Sequence, residues 1–218
     1  MCNGIKKTAA VFFSVMSIRI IRIIRIMMIL MILMVISSCS IEDMIIEKLA
    51  DSLSSGMGQS FTGEDDPQLV GEALPFALKL YDSLLEKAPR HVNLLLATGS
   101  AYIMYANAYV QTPAEMLPRS RYQEKQALLI RAKRFYLRGR GMIMRALDVK
   151  YPGFSDQLNS NDPGQALDRC GKDAAPFLYW GCAGLFAAYA ADIFDIQISI
   201  MLPKALLLME KKVREVLT

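Results

Sequence analysis

Residues 77–102 read ALKLYDSLLEKAPRHVNLLLATGSAY, and their spacing decides the fold. Ala77 is followed one helical turn later by Tyr81 and then by Pro89, after which Leu95, Gly99 and Tyr102 recur at helical intervals. Two antiparallel helices need small side chains where they touch and a large one where the next pair is plugged. Pro89 closes the first helix, because a proline disfavours helical geometry in the residue before it. The segment therefore reads as the end of one helical hairpin and the start of the next.

This is tetratricopeptide-type spacing, and it returns in degenerate form further along. Phe177, Trp180 and Gly181 repeat the opening pattern, with Gly184 where a tyrosine is usual, and Ala205 and Met209 repeat the closing one. The predicted class is all-α, built of antiparallel helical hairpins resembling degenerate tetratricopeptide repeats, an α-solenoid. Generic packing of antiparallel helices is the competing reading, since it also favours small residues at contacts. The repeat register assigns Asn93, Leu96, Ser100, Ile103, Met104 and Asn107 to a concave face. It places Ala175, Leu178, Cys182, Leu185, Phe186 and Tyr189 there too, an almost wholly apolar set. Such a set predicts a hydrophobic groove, pore or partner interface; the alternative is that a further helix covers it.

Around this centre the apolar residues recur at three and four, and alternating β-branched runs are scarce after Cys39. Helices are expected over about 42–53, with Ile45, Ile46, Leu49 and Leu53 on one face, then 67–87, 92–110, 115 or 120 to 150, 174–194 and 203–217. A glycine-rich loop to Gly63 follows the first, a Thr112-Pro113 break ends the third, Tyr151-Pro152-Gly153 ends the long basic one, and 159–163 is a turn-rich linker. Asp66-Pro67 is a helix start: the carboxylate accepts from free N–H groups, and proline at the first position forfeits no bond. The run Glu64-Asp65-Asp66 reads as capping and dipole complementation, since calcium needs more oxygen ligands at alternating spacing.

Towards the N-terminus the chain changes character. Arg19, Arg22 and Arg25 precede IMMILMILMVI, eleven uncharged apolar residues over 26–36, followed by Ser37, Ser38 and Cys39. A basic segment, an apolar segment of this length and small residues before the cut are the parts of a secretory signal. Residues 1–38 are read as the leader and 39–218 as a helical domain, with Cys39 as the lipidated residue of a lipobox-like site. A plain transmembrane anchor is the alternative, but the apolar run falls short of the roughly 20 residues that a span needs. Translation from Met1 or from Met16 fits equally.

The 218 residues carry 25 Lys and Arg against 21 Asp and Glu, a net charge of +4. Five of the basic residues, Lys6, Lys7, Arg19, Arg22 and Arg25, lie in the acid-free first 38, leaving 20 basic against 21 acidic beyond. A near-neutral domain gives no support to nucleic-acid binding. With a single histidine and no C-x-x-C spacing, no metal site or cofactor is expected. No catalytic residue is assigned: His91, at a helix start beside Pro89, reads as a capping or surface residue rather than a base, and no second acid faces Glu64 or Asp65. Cys170 and Cys182 are expected to stay unpaired, the alternative being a disulfide in an oxidising compartment. The stretch 176–203 reads as a buried helix rather than a membrane span, because Asp192, Asp195 and Gln197 interrupt it.

Leu49-Ala50-Asp51-Ser52-Leu53, FTGEDDPQLVGEALPFALKLYDSLL from Phe61, LLLATGSAYIMYANAYVQTPAEMLP from Leu94, RAKRFYLRGR from Arg131, RALDVKYPGF from Arg145 and Leu178-Tyr179-Trp180 together resemble the T-component family of TRAP transporters, TatT-like lipoproteins. The resemblance runs from Cys39 to the end of the chain. It implies a periplasm-facing, membrane-anchored lipoprotein of tetratricopeptide-like build that assembles as a trimer, docks the periplasmic substrate-binding (P) protein and handles a hydrophobic small molecule, and it implies no enzyme. Relative to the family pattern the chain ends early, and Leu202, Leu206, Met209, Val213 and Val216 form an apolar stripe with no following repeat. The readings outside the family are a membrane-anchored helical scaffold unrelated to transport, or a non-functional truncated fragment.

Overall fold

The computed structural model describes residues 19, 21–29, 31, 44–55, 61, 63–160 and 162–217, with side chains to residue 210. The chain divides into two compact units, Met1–Ile45 and Ile46–Thr218. In the first, the described residues between 19 and 31 are helical, and their isoleucines and methionines are exposed. Cys39, and with it the lipidation site, lies outside the described residues.

The second unit is all-α: no strand occurs among its described residues. Helix α1 covers residues 44–55, with the unit boundary falling after Ile45. It is followed by α2 (Pro67–Lys87), α3 (Val92–Ala106), a π-helical turn (Asn107–Gln111), α4 (Thr112–Glu115) and a 3-10 turn (Arg119–Arg121) leading into α5 (Tyr122–Lys150). Two short helices, α6 (Phe154–Leu158) and α7 (Gly164–Asp168), precede α8 (Ala175–Ala191) and α9 (Ile196–Leu217). The long helices pack in order, α2 on α3, α3 on α5, α5 on α8 and α8 on α9, and α3 also touches α8. Short connections leave α2 and α3, and α8 and α9, no course but to reverse direction.

Helix α2 starts as its sequence dictates. Asp66 Oδ1 accepts from the N–H of Gln68 at 2.9 Å and of Leu69 at 3.2 Å, and Pro67 takes the first helical position. Its buried stripe is Val70, Leu74, Ala77, Leu78, Tyr81, Leu84 and Leu85. Helix α1 buries a different face from the one its periodicity predicts. Ala50 is fully buried with the half-buried Ile46 and Leu53 beside it, whereas Ile45 and Leu49 are exposed, and Tyr81 Oη donates to the Leu53 carbonyl at 3.1 Å.

Two proline expectations fail for identifiable reasons. Thr112-Pro113 does not end the third helix, which runs on through the π turn into α4. There the Thr112 N–H donates to the Asn107 carbonyl, five residues back, and the widened turn accommodates a proline ring that would clash in an ordinary α-helix. Pro203 does not begin the last helix: Asp195 Oδ1 accepts from Gln197 N–H at 3.0 Å and Ile198 N–H at 3.3 Å, starting α9 at Ile196 with Pro203 in its interior. Packing of Ile198, Ala205 and Leu208 in the core holds the helix through the proline.

The tightest packing lies between α3 and α5. A Cβ on Gly99 would stand 2.7 Å from the Gly139 carbonyl oxygen, and one on Gly139 would stand 2.5 Å from that of Gly99. The two backbones meet where neither residue has a side chain. Where α8 meets α3 and α5, Gly184 receives Ile103 and the stem of Arg140. Buried polar groups lock these layers. Asp82 Oδ2 accepts from Tyr102 Oη at 2.8 Å and Arg138 Nη2 at 2.7 Å, joining α2, α3 and α5. Tyr136, fully buried on α5, donates its hydroxyl to Gln111 Oε1 at 2.7 Å in the π turn, and Gln111 Nε2 donates to Glu115 Oε1 at 2.6 Å.

Helix α8 with the 3-10 turn before it is long and apolar enough to cross a membrane, but half of that window is buried within the unit. Phe177, Leu178, Gly181, Cys182, Leu185, Ala188 and Ala191 are all buried, as in a core helix.

Candidate functional site

Helices α1, α2 and α3 form most of the wall of a half-open cavity of about 690 Å³. Its main walls are the stripe Val70, Leu74, Ala77, Leu78 and Tyr81 from α2 and the face Asn93, Leu96, Ala97, Ser100, Ala101 and Met104 from α3. Phe61, Ala108, Tyr109 and Trp180 complete the apolar lining, and Asp51, Ser54 and Ser55 of α1 edge it with polar groups. Helix α2 is tied to its neighbours at both ends of the cavity. At one end Gly71 lets the Tyr109 ring lie against α2, where a Cβ would stand 2.6 Å from the ring, and Tyr109 Oη donates to the Pro67 carbonyl at 2.8 Å. At the other, Tyr81 bonds α1, and burial pushes its hydroxyl up to about 12, so it remains a neutral donor.

The polar groups of the wall are largely engaged with protein. Ser55 Oγ donates to the Asp51 carbonyl at 2.9 Å, and Ser100 Oγ to that of Ala97 at 3.1 Å. His91 caps α3: its Nδ1 accepts from the Leu94 N–H at 3.1 Å, so that nitrogen carries no proton, and Nε2 faces Asp51 Oδ1 at 3.1 Å. With both ring nitrogens committed, the His91–Asp51 pair holds α1 to α3 and offers no free base. Among the described residues no three His, Cys, Asp or Glu side chains converge as a metal site would require. The arrangement is suited to enclosing an apolar molecule with a polar end.

The residues singled out from sequence are distributed over three places. Asn93, Leu96, Ser100 and Met104 line this cavity. Leu178, Cys182 and Leu185 line a second, smaller cavity of about 180 Å³ between α5, α8 and α9. Ile103 is buried against Gly139 and Gly184, Asn107 opens the π turn at the surface, and Phe186 and Tyr189 are half-buried on α8. The sequence reading missed the α2 wall, Tyr109 and Trp180. The α2 stripe is legible as an i, i+4, i+7, i+8, i+11 pattern, whereas the fit of Tyr109 onto Gly71 has no local signal.

The model of the TRAP transporter T-component family matches residues 63–215, which contain α2 to α9 in nearly their full length. The chain belongs to that family. An uncharacterized protein of Treponema pallidum (strain Nichols) is 42% identical over 133 residues, a match that covers 60% of this chain and 41% of that relative. The matched part thus spans about two fifths of the relative's length. The family is one of transporter accessory components and is not a known enzyme family.

Proposed function

We propose that this T-component chain is the accessory lipoprotein of a TRAP-type transporter. Its leader is removed, Cys39 carries the acyl chains that hold it to the membrane on the periplasmic side, and it works as a trimer. Its tetratricopeptide-like hairpins dock the periplasmic substrate-binding P protein, and the cavity between α2 and α3 takes a hydrophobic small molecule. The observation that carries this reading is the apolar cavity of about 690 Å³, faced by Leu74, Leu78, Leu96 and Met104 and rimmed by Asp51 and Ser54. Water filling a space with such walls is poorly bonded, and an apolar ligand displaces it favourably. Family membership supplies the transporter context.

The chain's single tryptophan, Trp180, lies in the cavity wall, so occupancy has a built-in reporter. Titration of the intact chain with long-chain apolar amphiphiles is expected to shift Trp180 emission to the blue, and Ala101→Phe, which fills space without adding a second indole, weakens the response while leaving the helical circular dichroism intact. Immobilised protein is expected to retain the periplasmic substrate-binding P protein of its own transporter. An unresponsive Trp180 together with no retained P protein overturns the assignment. Mass spectrometry of the mature N-terminus is expected to find Cys39 acylated, and Cys39→Ala releases the protein into the soluble fraction; one acyl chain alone binds only marginally, so two or three are expected.

A further inference from the structure

The second cavity, about 180 Å³ between α5, α8 and α9, shares no wall residue with the first. Most of its lining is apolar: Met144, Leu147, Phe177, Leu178, Leu185, Met201 and Leu208. Two cations also enter it, Arg140 from α5 and Lys204 from α9, and no carboxylate is among its wall residues. Arg140 reaches it because Gly184 leaves room for its stem, with the Arg140 Cβ 3.3 Å from where a glycine Cβ would be. Among the described residues the Arg140 guanidinium makes no hydrogen bond and no ion pair, whereas the half-buried Lys133 is paired to Asp192 and Asp195, and Lys150 to Asp173. Its one ionisable neighbour, the Cys182 thiol, is pushed up to about 11 by burial and stays protonated at neutral pH, with Sγ directed at the Ala205 carbonyl at 3.5 Å. Burial also presses Arg140 itself below its ordinary value, the direction expected of a guanidinium without a counterion. Lys204, also in the wall, donates among the described residues only to Asn159 Oδ1 at 3.3 Å.

A half-buried guanidinium facing an apolar space is costly unless an anion completes it. We infer that this cavity is a binding site for a small carboxylate with a short apolar tail, its carboxylate bridging Arg140 and Lys204 and its tail lying among Phe177, Leu178, Leu185 and Met201. The planar guanidinium suits bidentate pairing with a carboxylate. The apolar walls select against a bare inorganic anion, which cannot give up its hydration on that side. The volume equals that of roughly six waters, which suits a chain of a few carbons.

The test is isothermal titration of the intact chain in lipid nanodiscs with hexanoate, hexanol and inorganic phosphate, against empty nanodiscs. Hexanoate is expected to bind, hexanol and phosphate at least tenfold more weakly. Arg140→Gln and Lys204→Gln each weaken hexanoate, Arg140→Gln by roughly tenfold or more, since it removes a charge-assisted pair. Bound hexanoate is also expected to slow alkylation of Cys182 in the native protein. If Arg140→Gln fails to fold, the comparison of hexanoate with hexanol on the unaltered chain and the Lys204→Gln variant decide. No binding of hexanoate, equal binding of hexanol, equal binding of phosphate, or undiminished affinity in folded Arg140→Gln overturns the assignment. The outcome is independent of the larger cavity, whose reporter is Trp180.

Discussion

Gly99 and Gly139 show what one missing side chain does at a helix contact. Glycine in a helix interior ordinarily costs about 0.5–1 kcal/mol relative to alanine. At these two positions the cost is offset by the approach it permits, since a methyl at either would press on the facing carbonyl oxygen at 2.5–2.7 Å. Gly99→Ala and Gly139→Ala are therefore each expected to destabilise the protein by about 1–3 kcal/mol through overpacking. Gly141, two residues further along α5, is exposed with open space where a Cβ would stand, so Gly141→Ala is expected to stabilise by about 0.5–1 kcal/mol. Urea denaturation of the three variants checks both signs. Only the first of the pair was legible: Gly99 belongs to the repeat spacing, whereas nothing local in RGRG distinguishes Gly139 from Gly141.

At the scale of elements, the turn between α8 and α9 is held by a residue from α5. Lys133 Nζ donates to Asp192 Oδ2 at 2.7 Å and Asp195 Oδ2 at 3.0 Å, and Asp195 in turn caps α9. The hydrogen bond from Lys133 holds the Asp195 carboxyl below its ordinary value, and bonds to Asp192 and Asp195 raise the Lys133 ammonium. A lowered carboxyl contributes stability that is complete above its unfolded value and lost as pH falls through the folded one. A raised ammonium contributes stability that is complete below its unfolded value and lost as pH rises through the folded one. The contact is therefore at full strength between the ordinary values, 3.8 and 10.5. The protection factors of the 192–198 amides, with the intrinsic exchange rate at each pH divided out, are expected to fall below that window, and Lys133→Met is expected to lower them within the window and to flatten the acid limb. The same cap explains why Pro203 misled: a proline is a strong local breaker, but a cap before it and core packing on both sides of it outweigh that preference.

For the whole second unit, Cys182 is a free thiol buried between α5, α8 and α9. With its value pushed up to about 11 from 9.0, it offers roughly a hundredfold less thiolate at neutral pH than an ordinary thiol. Alkylation of Cys182 in the native protein is expected to run at least a hundredfold slower than in the unfolded chain, and to accelerate with guanidinium along the global unfolding transition, because reaching full exposure means separating three helices. Labelling that accelerates well before the transition would instead mark α9 as opening on its own.

The all-α class, the helix start at Asp66-Pro67 and the cavity face Asn93, Leu96, Ser100 and Met104 were set by local order in the chain, because capping and a 3.6-residue period need no knowledge of what packs opposite. The continuation of the α9 stripe at Val213 and Val216 lies outside the described side chains. Tertiary structure alone decided how α8 is rotated, since a helix apolar around its whole circumference carries no phase of its own. Contact with α5 and α9 turned Leu178, Cys182 and Leu185 onto the smaller cavity and Trp180 onto the larger one. The unpaired Arg140 arises the same way: its solitude is a property of its neighbours, and Cys182, Gly184 and Lys204, which stand 42 to 64 residues further along the chain, reach it only when the helices stack.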